Sequence, residues 1–299
     1  MKLDVKVLAA ATAWILGTLC PCHSEDWRAK YPELIYMIIP DTNDAKNEAL
    51  KFQPMLDYLS NSIGVPVRLE QAGPCEDTTE GQRAGRVHIA NYCGAATFAR
   101  AYLTGVKIEP FAMDINADGT KGYQSVFFVK KNSPYQSIRD LKGKVLGLGR
   151  ADSTSGDLEP RFIMSQLGIK PEEFFRRVIY TGGHEDNIAA LRDGKVDVAA
   201  AADDAPTRFP RSLAGQFRSI YSSEILPNPP LAYLSDLPDE LKARIRKAFL
   251  DIGQKDMAAF NRRAGSNQSA KPWIAADLQV YQHTIDMMRF IDSLGKSIR

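Results

Sequence analysis

The chain is poor in the residues that usually announce metal or thiol chemistry. It has four cysteines and four histidines in 299 residues, and the histidines (His23, His88, His184, His283) are dispersed. No close Cys/His pairing makes a zinc pattern. Charge of either sign is not in excess: the formal net charge of +2 gives no electrostatic reason to invoke nucleic acid, and basic residues alternate with acidic ones as on a solvated face. Repeats and low-complexity stretches are missing, as are a cofactor fingerprint and a nucleophile–base pair with supporting context. With 44% hydrophobic and 25% charged residues the composition is that of an ordinary globular chain, enough for one large or two medium domains.

Long apolar runs are also scarce. The one exception is Val7 to Leu19, preceded by Lys2 and Lys6 and followed by Ser24 before Glu25. It falls short of the roughly 20 residues a membrane span needs, and fits the core of a cleaved signal peptide over residues 1–24. Leu19, before Cys20, is not the small residue a lipoprotein signal places there. The expectation is export, with Cys20 and Cys22 discarded and Cys75 and Cys93 retained. Two cysteines in an oxidising compartment suggest one disulfide, Cys75–Cys93, with two isolated buried thiols as the alternative.

Apolar patterning predicts strands at 34–40, 65–69 and 87–92, with a helix over Pro54 to Ile63 stopped by Gly64 and helix-compatible sequence up to Gly85. A second set follows: strands at 123–130, 145–148, 178–180 and 196–201, with helices after Gly156 and from about Glu185 to Arg192. This alternation predicts α/β architecture with largely parallel sheets. The C-terminal part is helical, with a stripe of Leu241, Ile245, Phe249 and Ile252 and a last helix over about Ala275 to Leu294. Crossings near Tyr123 and Pro227 divide the chain into two lobes, 25–122 plus 228–299 and 123–227, and such crossings suit a hinge.

The most informative segment is Asp152-Ser153-Thr154-Ser155-Gly156, between a strand and a helix. The first helical N–H groups lack internal partners there, and clustered hydroxyls with a glycine can hold a tetrahedral oxyanion. Taken alone, the motif reads more readily as a plain helix cap. It is not a P-loop, since the Gly-Lys-Ser/Thr ending is missing. Gly182-Gly183-His184-Glu185 sits at a second strand-to-helix turn, where His184 could donate to the same anion. Asp203-Asp204 is either a solvated turn or a clamp on a cationic substituent. Turns at the carboxyl ends of strands converge where open α/β sheets bind ligands.

These residues resemble the periplasmic phosphonate-binding receptors (PhnD-type) of ABC transporters. The resemblance runs from about Leu34 to beyond Pro230. It is carried by Asp118-Gly119-Thr120-Lys121-Gly122-Tyr123-Gln124-Ser125, by Ser153-Thr154-Ser155-Gly156 with Leu158 and Pro160, and by Gly183-His184-Glu185 with Asn187. It implies a two-lobed periplasmic-binding-protein fold of type II, each lobe a mostly parallel sheet flanked by helices, with a cleft between. It implies a monomeric, non-enzymatic receptor without cofactor that captures a phosphonate- or phosphite-like oxyanion and presents it to an ABC permease. Ser153, Thr154, Ser155 and His184 then look like ligands of the phosphonate oxygens, and Tyr123 like a pocket wall and hydroxyl donor. Asp204 stands where aminoethylphosphonate receptors carry a glutamate on the amine. Two departures weaken the substituent half: Cys75 replaces a pocket tyrosine, and Pro229 a second amine-binding acid. The competing readings are a ligand-sensing module and a secreted α/β transferase or phosphatase using His184 as acid or base.

Overall fold

The computed structural model describes residues 26–39, 45–73, 76–151, 153–263 and 271–293. The expected signal segment 1–24, Pro40, Cys75, Asp152 and Leu294 lie outside the described residues. Among the described residues, eleven strands form two sheets. The first contains β1 (Leu34–Ile38), β2 (Val67–Gln71), β3 (Ile89–Asn91), β4 (Ile108–Met113), β10 (Pro230–Leu234) and β11 (Ile274–Ala275), in the order β11-β4-β10-β3-β1-β2. The second contains β5 (Gly122–Lys130), β6 (Val145–Leu148), β7 (Arg177–Tyr180), β8 (Val198–Ala202) and β9 (Phe217–Pro227), in the order β7-β6-β8-β5-β9. Within each sheet three strands run parallel and the returning strands pair antiparallel.

Burial explains which strands are central. All residues of β1, β8 and β10 are buried, as expected of strands covered on both faces, whereas edge strand β7 is largely exposed. In the second sheet the period of two is explicit. Phe127, Val129, Leu146 and Val198 face one core with Ile163 and Met164, while Val126, Phe128, Val145 and Ala199 face another with Ile188 and Leu191. The first sheet packs against the helices Ala45–Ile63, Asp239–Lys255 and Gln282–Ser293 through Met55, Leu59, Phe249 and Met288.

The chain passes between the sheets twice, through 114–121 and through Asn228–Pro229. Hydrogen bonds lash the two crossings together. Asn228 Nδ2 donates to Asp114 O and Asn116 Oδ1, both at 3.0 Å, and Asn116 Nδ2 donates to Gly122 O at 2.9 Å. From the C-terminal segment, Tyr281 Oη donates to Asn228 O at 3.0 Å.

Several elements depart from the sequence expectation. The helix expected to begin at Pro54 spans Ala45–Ile63 and runs through the proline, which removes one internal N–H bond. It still ends at Gly64, whose φ of 94° is a left-handed conformation that glycine adopts without penalty. The last helix begins at Gln282 rather than near Ala275, because Ala275 pairs as a strand with Ala112 and Asp277 caps a separate turn, accepting from Gln279 N and Val280 N. The helix Ala95–Leu103 and strands β4, β9 and β10 were not anticipated.

Candidate functional site

Both sheets turn the carboxyl ends of their parallel strands toward one cleft of about 1380 Å³. Ile39 after β1, Gly73 after β2 and Cys93 after β3 line it from one side. Arg150, Ala151 and Ser153 to Ser155 after β6, His184 after β7 and Asp203 after β8 line it from the other. Tyr123, Ser153, Thr154, Ser155, His184 and Asp204 are thus brought to a single cavity.

The segment after β6 is wound wider than an α-helix. Thr154–Leu158 forms a π-type turn, all five residues buried, that leads into the helix Glu159–Gln166. Ser153 is its N-cap and its Oγ accepts from Gly156 N at 3.2 Å, so the capping reading of this serine holds. Acting as acceptor leaves the Ser153 O–H to donate. Thr154 Oγ1 likewise accepts from Ala96 N, at the start of the opposing helix Ala95–Leu103, at 3.4 Å, joining the two sides of the cleft. The Ser155 carbonyl accepts from buried Ser125 Oγ at 2.8 Å, which fixes the turn against β5.

Tyr123 lines the cleft with Thr154 and Ser155 and is half-buried; desolvation raises its pKa above the ordinary range, so its hydroxyl stays protonated and can donate. His184 begins the helix His184–Arg192, and its Nδ1 accepts from Ala202 N at 3.4 Å. That bond places the remaining proton on Nε2. Burial, then the Arg208 cation, lower the His184 pKa, so the ring is neutral at pH 7. The helix itself is anchored by Asn187, whose Nδ2 donates to Gly147 O and Ala200 O at 2.9 and 2.8 Å.

Asp204 lies at the cleft but is exposed and engaged elsewhere. Arg208 Nη2 meets its Oδ2 at 3.0 Å, and the same arginine reaches Glu185 at 3.4 Å. Sequence reasoning missed a buried support beneath the turn. Asp157 Oδ1 accepts from Arg161 Nε at 2.8 Å and from Tyr180 Oη at 3.1 Å, and Arg161 also holds Glu172 at 2.7 Å. The i,i+4 spacing of Asp157 and Arg161 on a helix was the available signal. Among the described residues no group of three or more His, Cys, Asp and Glu could hold a metal ion.

Two α/β halves with this strand order, joined by paired crossings and facing one polar cleft, define a type II periplasmic binding protein. The family model for the phosphonate periplasmic substrate-binding protein of ABC transporters matches residues 36–281, and the chain belongs to that family. The phosphonates-binding periplasmic protein of Escherichia coli (strain K12) is 29% identical over 257 residues, covering 83% of this chain and 73% of the relative. A crystal structure of a binding-protein component of an ABC phosphonate transporter from Pseudomonas aeruginosa superposes with a TM-score of 0.60 at 25% identity, over 89% of each chain. PhnD1 from Prochlorococcus marinus (MIT 9301), in complex with methylphosphonate, superposes with a TM-score of 0.62 at 20% identity, over 87% of this chain and 98% of that one.

Proposed function

We propose that this periplasmic receptor takes a small phosphonate or phosphite-type anion between Ser153, Thr154, Ser155, His184 and Tyr123, and hands it unchanged to an ABC permease. The observation that carries the reading is the convergence of these donors, all neutral, on one cleft at the start of the Thr154–Leu158 turn. Neutral donors and a helix start suit an oxyanion whose charge the site need not cancel with a cation. The lobes are 25–122 plus 228–299 and 123–227, a division supported by β5–β9 forming one sheet and the other strands a second.

Recognition of an aminoalkyl group is weak in this reading. The Asp204 carboxylate is shared with Arg208, and Pro229 offers no side-chain acceptor. The decisive experiment is calorimetric titration with methylphosphonate, phosphite, aminoethylphosphonate, phosphate and sulfate. A hydrogen bond to a charged group is worth roughly 1.5–3 kcal/mol, so Thr154→Ala and His184→Ala should each weaken methylphosphonate binding about ten- to a hundred-fold. Unchanged affinity in both variants would remove the site assignment, and turnover of phosphate esters would favour an enzyme. An aminoethylphosphonate preference of about a thousand-fold, some 4 kcal/mol, would contradict the weak amine clamp.

The exported form, in this reading, has lost residues 1–24 and carries a Cys75–Cys93 bridge beside the cleft. Support comes from the place of Cys93 on the cleft wall after β3, in a chain read as exported to an oxidising compartment. Non-reducing peptide mapping of periplasmic material should recover the linked pair, and two free thiols would refute it.

A further inference from the structure

The cleft's electrostatics carry the reading one step further, toward the class of substituent on the ligand. Among the described residues, four arginines and no lysine line the cleft. Arg83 bonds Glu80 and Thr104, Arg208 bonds Asp204 and Glu185, and Arg100 also has a partner. Arg150 has no hydrogen-bond or ion-pair partner for its side chain among the described residues. It follows Gly149 at the carboxyl end of β6, and its carbonyl accepts from Ser153 N at 3.1 Å, so its place is fixed by the same turn that presents the hydroxyls. Its charge is felt at His184.

Among the described residues, the two acids on the same wall of the cleft, Asp203 and Asp204, have partners. Arg208 holds the Asp204 carboxylate, and Asp203 Oδ1 accepts from Asp204 N at 3.1 Å within its own turn. The cleft's volume of about 1380 Å³ is larger than a one-carbon phosphonate fills.

Resting on the phosphonate reading above, the geometry points to Arg150 as a specificity-determining residue that receives a second anionic group, a carboxylate or phosphoryl oxyanion, carried on the ligand's substituent. The guanidinium presents a fork of donors matched to either group. The phosphorus head group is served by neutral hydroxyls and imidazole, so the two ends of the ligand are recognised by different chemistry.

The test is calorimetric titration of wild type and Arg150→Gln with methylphosphonate, ethylphosphonate, phosphonoacetate, 3-phosphonopropionate and methylenediphosphonate. Wild type should bind at least one of the last three at least about ten-fold tighter than ethylphosphonate. Arg150→Gln should abolish that gain while leaving methylphosphonate affinity within about three-fold, and Arg150→Lys should restore part of it. Thermal melting of the variants checks that the fold is intact. Preference without dependence on Arg150, or no preference at all, overturns the assignment. So does an equal loss for methylphosphonate, which would place Arg150 on the head group. Methylphosphonate binding by wild type reports separately on the underlying reading; if no phosphonate binds, both fall.

Discussion

A Cβ on Gly156 would meet Ser153 Oγ at 3.0 Å, His184 Cε1 at 3.2 Å and Gly149 Cα at 3.3 Å. The last is backbone, itself tied by Gly149 N donating to Gly156 O at 2.8 Å, so the turn cannot retreat. Gly156 therefore lets the His184 ring lie against the hydroxyl turn, and a methyl group would displace the ring or widen the loop. Overpacking costs typically about 1–3 kcal/mol. Gly156→Ala is expected to destabilise within that range and to weaken methylphosphonate binding at least as much as His184→Ala does. Urea denaturation and calorimetry on the same preparation check both parts; full affinity in a destabilised variant would show that the ring's position does not matter to binding. The serines, threonine and histidine were legible in the sequence because their types and the adjacent glycines declare the chemistry. Ser125, 30 residues away from the Ser155 carbonyl it holds, declares nothing until the fold joins them.

Among elements, legibility followed the contrast between buried and exposed faces. β6 was readable as a short unbroken apolar run before a glycine, and the helix Asp239–Lys255 because its apolar residues recur at the helical period. The first turns of the helix Ala45–Ile63 carry exposed Lys46, Asn47 and Leu50, so no stripe marks where it starts, and Pro54 suggested a beginning it does not make. The helix Ala95–Leu103 buries mainly alanines around Phe98, too small to stand out from the apolar strand before them. β4 contains Pro110, an unusual residue in a sheet, accommodated where the pairing with β10 slips its register between Leu231 and Ala232. β9 carries runs of polar, largely exposed residues along an edge, and its serines look like a connection until β5 pairs with it. The wide turn Thr154–Leu158 was visible only as a helix start, since residue types do not distinguish a π-type turn from a cap.

At the scale of the whole molecule, the helix Glu159–Gln166 belongs to both halves. Ile163 and Met164 enter the core of the second sheet, while Phe162 packs against the first core and stacks edge-on with Phe290 of the C-terminal helix at 5.5 Å. Beside that contact, His283 Nε2 lies 3.3 Å from Oε2 of Glu159, a buried carboxylate one residue beyond the Thr154–Leu158 turn. The hydrogen bond to Glu159 raises the His283 pKa above 6.5, with Glu224 and Asp286 adding in the same direction. A base whose folded pKa is raised contributes stability fully present below pH 6.5 and lost as pH rises through the raised value. His184 acts oppositely: its pKa is lowered, so its contribution is present above pH 6.5 and fades on acidification. Wild type alone would blend the two effects, and the difference between wild type and His283→Gln isolates the first. That difference in Tm is expected to be largest at pH 5.5–6 and to shrink toward pH 8.5, and Glu159→Gln should remove most of its pH dependence. A difference that grows with pH would mean that the imidazole is neutral against Glu159 and that packing on Phe162, not the ion pair, joins the C-terminal helix to the Thr154–Leu158 turn.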